Sequence, residues 1–173
     1  MTDQPVITTE RLTLRPPRVS DVPLLDLYRG DLRVTGQTRD IPHPLPKGAS
    51  AAAVANAARP DRTEDAWVID GTPGGLPEVT GVIRLTPLGR GQSELTGWIA
   101  PPFWRTGLAR EAMAALVAAN PHGADRIFAA VFQGEEPAVH LLIEAGFEYL
   151  GPAEAYCVAR GATLPTFTYS LKL

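Results

Sequence analysis

The run from Gly97 to Arg110 puts one strand end, two prolines, a glycine and two arginines at the head of a helix. Anion binding is the chemistry that order of residues supports. Leu95 to Ile99 alternates and is rich in large side chains, as a strand requires. Pro101 and Pro102 end it, because neither can donate to a ladder. Gly107 supplies backbone freedom in the turn. From Leu108, the residues Leu108, Ala112, Ala115, Leu116 and Ala119 recur at helical spacing. A turn feeding a helix presents unpaired N–H groups and the positive end of the dipole, which together suit phosphate. Arg105 and Arg110 flank that turn and can pair with phosphate oxygens; the plainer reading is a helix start whose two arginines face solvent. The turn has neither the Gly-Lys-Ser/Thr ending of a nucleotide loop nor the three-glycine dinucleotide pattern. It therefore points to an anion other than ATP or NAD.

Few other residues offer chemistry. The single cysteine, Cys157, rules out an intrachain disulfide and any multi-cysteine metal site, and reads as a small buried apolar residue. The three histidines, His43, His122 and His140, assemble no metal cluster, so no metal is expected. The 173 residues suit a single domain, 1–173, with a substantial core. With 45% apolar residues, 20% charged residues and a net charge of −3, the chain has an ordinary globular composition. No basic tract suggests nucleic acid, no apolar run suggests a membrane span, and the first residues lack a signal-peptide pattern. A cytoplasmic protein is expected.

The elements that must hold the organising turn follow in order. Ile7 to Arg15 reads as a strand closed by Pro16-Pro17. Ser20 is placed to cap a helix carrying Leu24, Leu25 and Tyr28. Residues 31 to 49 are irregular, and Ser50 is placed to cap an Ala-rich helix ended by Pro60. Strands are expected at 66–70, 79–85 and 93–99, with Leu88 to Gln92 as a hairpin connection. Arg126 to Phe132 is a continuous apolar run, as for a buried central strand. Glu135, Glu136 and Pro137 open a helix that Gly146 ends, and strands from Phe147 and Thr166 close the chain.

The segment Pro102-Phe-Trp-Arg-Thr-Gly-Leu-Ala-Arg-Glu-Ala112 resembles the acetyl-CoA pyrophosphate loop of the GNAT N-acetyltransferases, in their ribosomal-protein-acetyltransferase (Rim-type) branch. That branch reads Pro-x-x-Trp-Gly-x-Gly-x-Ala-x-Glu-Ala, which Trp104, Gly107, Ala109, Glu111 and Ala112 match and Arg105 does not. The opening Thr9-Glu-Arg-Leu-Thr-Leu-Arg15 and the later Glu144-Ala-Gly-Phe147 are similar to the branch as well, so the resemblance runs from about Thr9 to Leu171. It implies an α/β fold with a mixed, mostly antiparallel sheet, splayed central strands and flanking helices.

The resemblance also implies a function: transfer of an acetyl group from acetyl-CoA, as co-substrate, to an amine of a small molecule or a peptide N-terminus by direct attack. Trp98, Ile99 and Ala100 would bind the pantetheine, and Arg105, Thr106, Gly107, Leu108, Ala109 and Arg110 the pyrophosphate. Glu94 is the base candidate by its place on the strand before the loop. The acceptor cleft takes in the loop 31–47, making His43, with Tyr28, a substrate-site candidate. Two positions where the branch carries Asn and Ser are Glu135 and Ala138, and the superfamily's frequent helix tyrosine is Leu142. Tyr149, Tyr156 or a water is then left as proton donor to the thiolate, with Tyr149 as the candidate named. A monomer or homodimer is expected. The alternative is a protein of this fold without transfer chemistry, acting as a binding module or on other chemistry in the same cleft.

Overall fold

The computed structural model describes residues 3–173. Along the chain lie β1 (Ile7–Thr8), β2 (Thr13–Arg15), α1 (Val22–Arg29), α2 (Leu32–Thr35), α3 (Ala49–Ala57), β3 (Asp65–Asp70), β4 (Gly81–Gly89) and β5 (Gln92–Ile99). Then come α4 (Leu108–Ala119), β6 (Arg126–Phe132), α5 (Glu136–Glu144), β7 (Glu148–Cys157) and β8 (Ala162–Lys172). The strands form one sheet in the order β1-β2-β3-β4-β5-β6-β8-β7. Every neighbouring pair is antiparallel except β5 and β6, which run parallel.

That parallel pair is short. Gln92, Ser93 and Glu94 align with Arg126, Ile127 and Phe128, and the pairing stops there. Beyond Glu94, β5 stays zipped to β4 as far as Ile99, while β6 stays zipped to β8 as far as Phe132. A wedge therefore opens in the middle of the sheet, with Glu94 at its vertex. The expected splayed central strands are present.

Alternation decides which face each side chain covers. Trp67 and Ile69 of β3, Ile83 and Leu85 of β4, and Leu95 of β5 enter the main core with Leu108, Ala112, Met113 and Leu116 of α4 and Leu142 of α5. Val68 points the other way, into a smaller core with Leu25 and Tyr28 of α1 and Val54 of α3. The β4–β5 hairpin turns on Arg90 and Gly91, with φ of 54° and 70°, the two positive values a type I′ turn demands. The two strands run so close that a Cβ on Gly97 would stand 2.7 Å from Val82 O.

Four local expectations change. Residues 31 to 49 are not irregular throughout: Leu32–Thr35 forms the short α2, capped by the Asp31 side chain accepting from Arg33 N–H. Ile7 to Arg15 is two strands rather than one, because Thr9 N–H donates to Leu12 O and Thr9 Oγ1 accepts from Leu12 N–H, closing a turn. Ser20 does not cap α1; instead Asp21 accepts from Arg18 N–H at 2.7 Å and pairs with Arg15. Ser50 does not cap α3, which starts one residue earlier behind Gly48; its hydroxyl accepts from Arg29 Nη1 at 3.0 Å. For Ser50 a tertiary partner outcompetes the local backbone, whereas Ser20 is exposed and its neighbour Asp21 takes the Arg18 N–H in its place.

Candidate active site

A cleft of about 980 Å³ fills the wedge. Its walls are β5 from Glu94 to Ile99 and β6 from Ala129 to Phe132, and the segment from Phe103 to Arg110 forms its mouth.

The mouth is built from backbone. Gly107, at φ 81°, turns the chain into α4 and its carbonyl accepts the first helical bond, from Glu111 N–H. No side chain caps this terminus, and no acceptor among the described residues takes the N–H groups of Leu108, Ala109 and Arg110. Arg105 also has positive φ, 61°, and makes no ion pair among the described residues. Arg110 is paired with Glu144. Glu111 braces the turn from behind: its carboxylate accepts from Thr9 Oγ1 at 2.8 Å, Arg11 N–H at 3.1 Å and Arg11 Nε at 2.7 Å. Arg11 Nη1 in turn donates to Thr106 O at 3.0 Å. Partial burial pushes the Glu111 carboxyl up, but the hydrogen bonds from Thr9 and Arg11 outweigh that and hold it below the ordinary glutamate range.

Backbone direction decides what β5 offers the wedge. Ala100 N–H donates to Thr80 O at 2.8 Å, and Ala100 O accepts from Phe103 N–H at 2.9 Å. Peptide groups alternate edges along a strand, so Trp98 also faces β4, while Gly97 and Ile99 face the wedge. Ile99 O is already taken by Trp104 Nε1 at 2.7 Å. The pantetheine expectation therefore shifts from Trp98, Ile99 and Ala100 to Gly97 and Ile99. Ala100 is fully buried with both backbone groups engaged, and Trp98, whose peptide groups face β4, still lines the cleft.

Glu94 stands at the vertex, its side chain 23% exposed and paired with Arg39 Nη2 at 2.7 Å. Around it the same sheet face carries Arg84, Thr86, Thr96 and Trp98. Thr96 Oγ1 is buried without a hydrogen-bond partner among the described residues. Arg84 donates to Asp40 at 2.8 and 3.1 Å and to Glu64 at 3.3 Å. Burial pushes the Asp40 carboxyl up, yet the Arg84 guanidinium more than cancels this and holds it below the ordinary aspartate range. Three carboxylates (Asp40, Glu64 and Glu94) thus share this face with two guanidiniums. Sequence reasoning missed Arg39, Asp40, Glu64, Arg84 and Thr96. The alternation Glu94, Thr96, Trp98 on β5 was the available signal for Thr96; nothing local marked the loop residues.

On the opposite wall, Glu135, Ala138 and Leu142 line the cleft, Leu142 deeply buried. Glu135 has Arg160 at 3.8 Å, which tempers its charge. Three candidates fall outside. Tyr149 lies on edge strand β7, two strands beyond the wedge, 54% exposed and packed on Phe167 and Tyr169 at ring distances of 5.7 and 5.5 Å. It does not line the cleft, so its place in the sheet argues against a proton donor there. Tyr28 is buried behind the wall, its ring edge-on to Trp98 and Phe103, which it supports. His43 is exposed and does not line this cleft, while nearby Ile41 is buried.

The sequence matches the Acetyltransferase (GNAT) domain family over residues 11–148. The chain belongs to the GNAT acetyltransferases. A search of curated proteins finds no match. Among solved structures, this GNAT domain is similar to the microcin C7 self-immunity acetyltransferase MccE in complex with acetyl-CoA and AMP, with TM-score 0.81, 12% identity and coverage of 95% of this chain and 94% of that one. It is also similar to the ribosomal L7/L12 α-N-protein acetyltransferase RimL in complex with coenzyme A, with TM-score 0.80, 14% identity and 98% of each chain covered. Spermidine N-acetyltransferase from Vibrio cholerae, in complex with CoA and spermine, gives 0.79, 18%, 95% and 96%. The GNAT fold is thus shared across nearly the whole chain, and Rim-type enzymes stand among its structural neighbours.

Proposed function

We propose that this domain, spanning 1–173, transfers an acetyl group from acetyl-CoA to an amine of a small molecule or a peptide N-terminus. The observation that carries the reading is the wedge: it opens at a carboxylate, Glu94, and ends at an uncapped helix terminus. Acetyl-CoA supplies an activated acyl group on a thiol that leaves readily. The amides of Leu108, Ala109 and Arg110 and the Arg105 guanidinium suit its pyrophosphate. Gly97 N–H and C=O and Ile99 N–H suit the amide-rich pantetheine. Glu94 accepts the ammonium proton, directly or through a water, so that the amine lone pair is free to attack. The Glu94 carboxylate at the vertex suits an acceptor whose amine arrives as an ammonium. With Tyr149 remote from the wedge, solvent protonates the departing thiolate.

The protein acts in the cytoplasm, as a monomer or homodimer; its one cysteine is a buried free thiol, as a reducing compartment permits. A panel of amines and peptides, read by acetyl-CoA-dependent release of free thiol, tests the proposal. Leu142 and Ala138 favour the second reading, a fold retained without transfer, because neither offers the O–H donor that the superfamily's frequent tyrosine and the branch's serine would supply. Absence of thiol release across the panel with folded protein would select that reading.

A further inference from the structure

A second cleft, of about 420 Å³, adjoins the first. Asp40, Glu64, Arg84, Val82 and Trp98 line both, so a low wall of side chains divides them. The second cleft lies between β3, β4, α1 and α3, over the face that carries Glu94.

Its charges do not cancel locally. Asp40 and Glu64 are taken by Arg84, and Asp61 by Arg59. Arg62 is spent on Asp65 at 2.6 Å. Arg29 alone among the arginines lining this cleft has no carboxylate within ion-pair distance among the described residues. Its single protein partner there is Ser50 Oγ, which accepts from Nη1 at 3.0 Å and fixes the fork. Four guanidinium N–H donors are left over of the five the group carries. Burial and the nearby Arg84 both disfavour its charge, partly offset by Asp40 and Asp26, yet a guanidinium stays protonated. A half-buried guanidinium held in place with spare donors and no ion-pair partner is a ready anchor for a carboxylate or phosphate.

We infer that Arg29 is the anchor for a carboxylate or phosphate carried by the acceptor, whose amine reaches Glu94 across the Asp40–Arg84 wall. This rests on the transferase reading and narrows its substrate class to amines bearing an anion at the far end. Arg84 sits opposite Thr96 and Val82 opposite Trp98, two and four residues along β5 from Glu94. At the rise of an extended strand, that sets the dividing wall roughly 7–13 Å from Glu94, with Arg29 in the cleft on its far side, so the acceptor must have the length of a short peptide or a phosphorylated amino sugar. A polyamine would place a second cation against Arg29, and is disfavoured.

The test uses matched acceptor pairs: di- and tripeptides against their C-terminal amides for the carboxylate arm, and an amino sugar phosphate against its parent for the phosphate arm. The expected result is a preference for the anionic member in kcat/KM of about 10-fold or more in at least one arm, as for a charge-assisted bidentate contact. Arg29→Gln should erase that preference, leaving neutral acceptors and CoA affinity within about 2-fold, whereas Arg29→Lys should retain part of it. A purely structural Arg29 would move both members of each pair alike, so equal preference in the parent protein, or a preference that survives Arg29→Gln, overturns the inference. Inorganic phosphate is titrated separately with the protein saturated in CoA. Binding that Arg29→Gln abolishes supports the anion site even if no amine is acetylated, in which case only the transferase reading falls. If Arg29→Gln fails to fold, Arg29→Lys and the parent pair ratios decide.

Discussion

Arg105 occupies a backbone position suited to glycine, the residue of the motif that the turn resembles. At φ 61° the side chain is strained, and in exchange an unpaired guanidinium stands at the cleft mouth. Arg105→Gly should raise stability by roughly 0.5–1 kcal/mol in denaturant melts. The same change should weaken acetyl-CoA binding by about 3- to 10-fold in calorimetry; tighter binding would show that this arginine opposes the ligand. Glu94 carries the heavier chemical burden. Glu94→Gln should lower turnover by about 10²-fold or more, as loss of a general base does, with acetyl-CoA affinity unchanged. An unaltered rate would take Glu94 out of the mechanism. Both residues were legible in the sequence, Arg105 from the motif and Glu94 from its strand position. Their partners were not: Arg39 reaches Glu94 from 55 residues away, and no local pattern encodes such a meeting.

Buried ion pairs hold the elements that build the walls. Arg15 on β2 donates through Nε to Asp70 of β3 and through both Nη atoms to Asp21 just before α1, each at 2.8 Å. All three side chains are nearly inaccessible. Arg15→Ala leaves Asp21 buried without its cation and Asp70 with only the more exposed Arg18 at 3.4 Å, so a loss of about 3–5 kcal/mol is expected in chemical denaturation. A loss under 1 kcal/mol would mean that α1 docks without this cluster. The Thr9–Arg11 turn and Glu111 play the same part for α4. The helices other than α2, the apolar β6 and a hairpin at Leu88 to Gln92 could be read from periodicity and turn residues. The division of Ile7 to Arg15 into two strands could not, since the turn depends on the Thr9 hydroxyl finding Leu12. Nor could the end of the β5–β6 pairing after Glu94 be read, because register between strands distant in sequence is set by packing on both faces.

For the whole molecule, paired carboxylates set the pH response. Asp40, Asp70 and Glu111 are each pushed up by burial and then carried below their ordinary values, Asp40 by Arg84, Asp70 by Arg15 and Thr72, and Glu111 by Thr9 and Arg11. A depressed carboxyl contributes stability that is fully present above its unfolded value, near pH ~4, and is lost as pH falls through the folded value. Melting temperature should therefore hold level from neutral pH to about 5 and drop steeply below about 4; a flat profile to pH ~3 would contradict these pairings. The overall architecture, a sheet split at its centre by one short parallel pairing, was expected from family resemblance rather than from periodicity, which predicts strands but not their order.

The most direct test of the account is calorimetric titration of the purified protein with acetyl-CoA. The wedge, the uncapped α4 amides and Arg105 predict one-site binding in the micromolar range, about −8 kcal/mol. No detectable binding by folded protein would contradict the assignment of the wedge as an acetyl-CoA site, and with it the transferase reading.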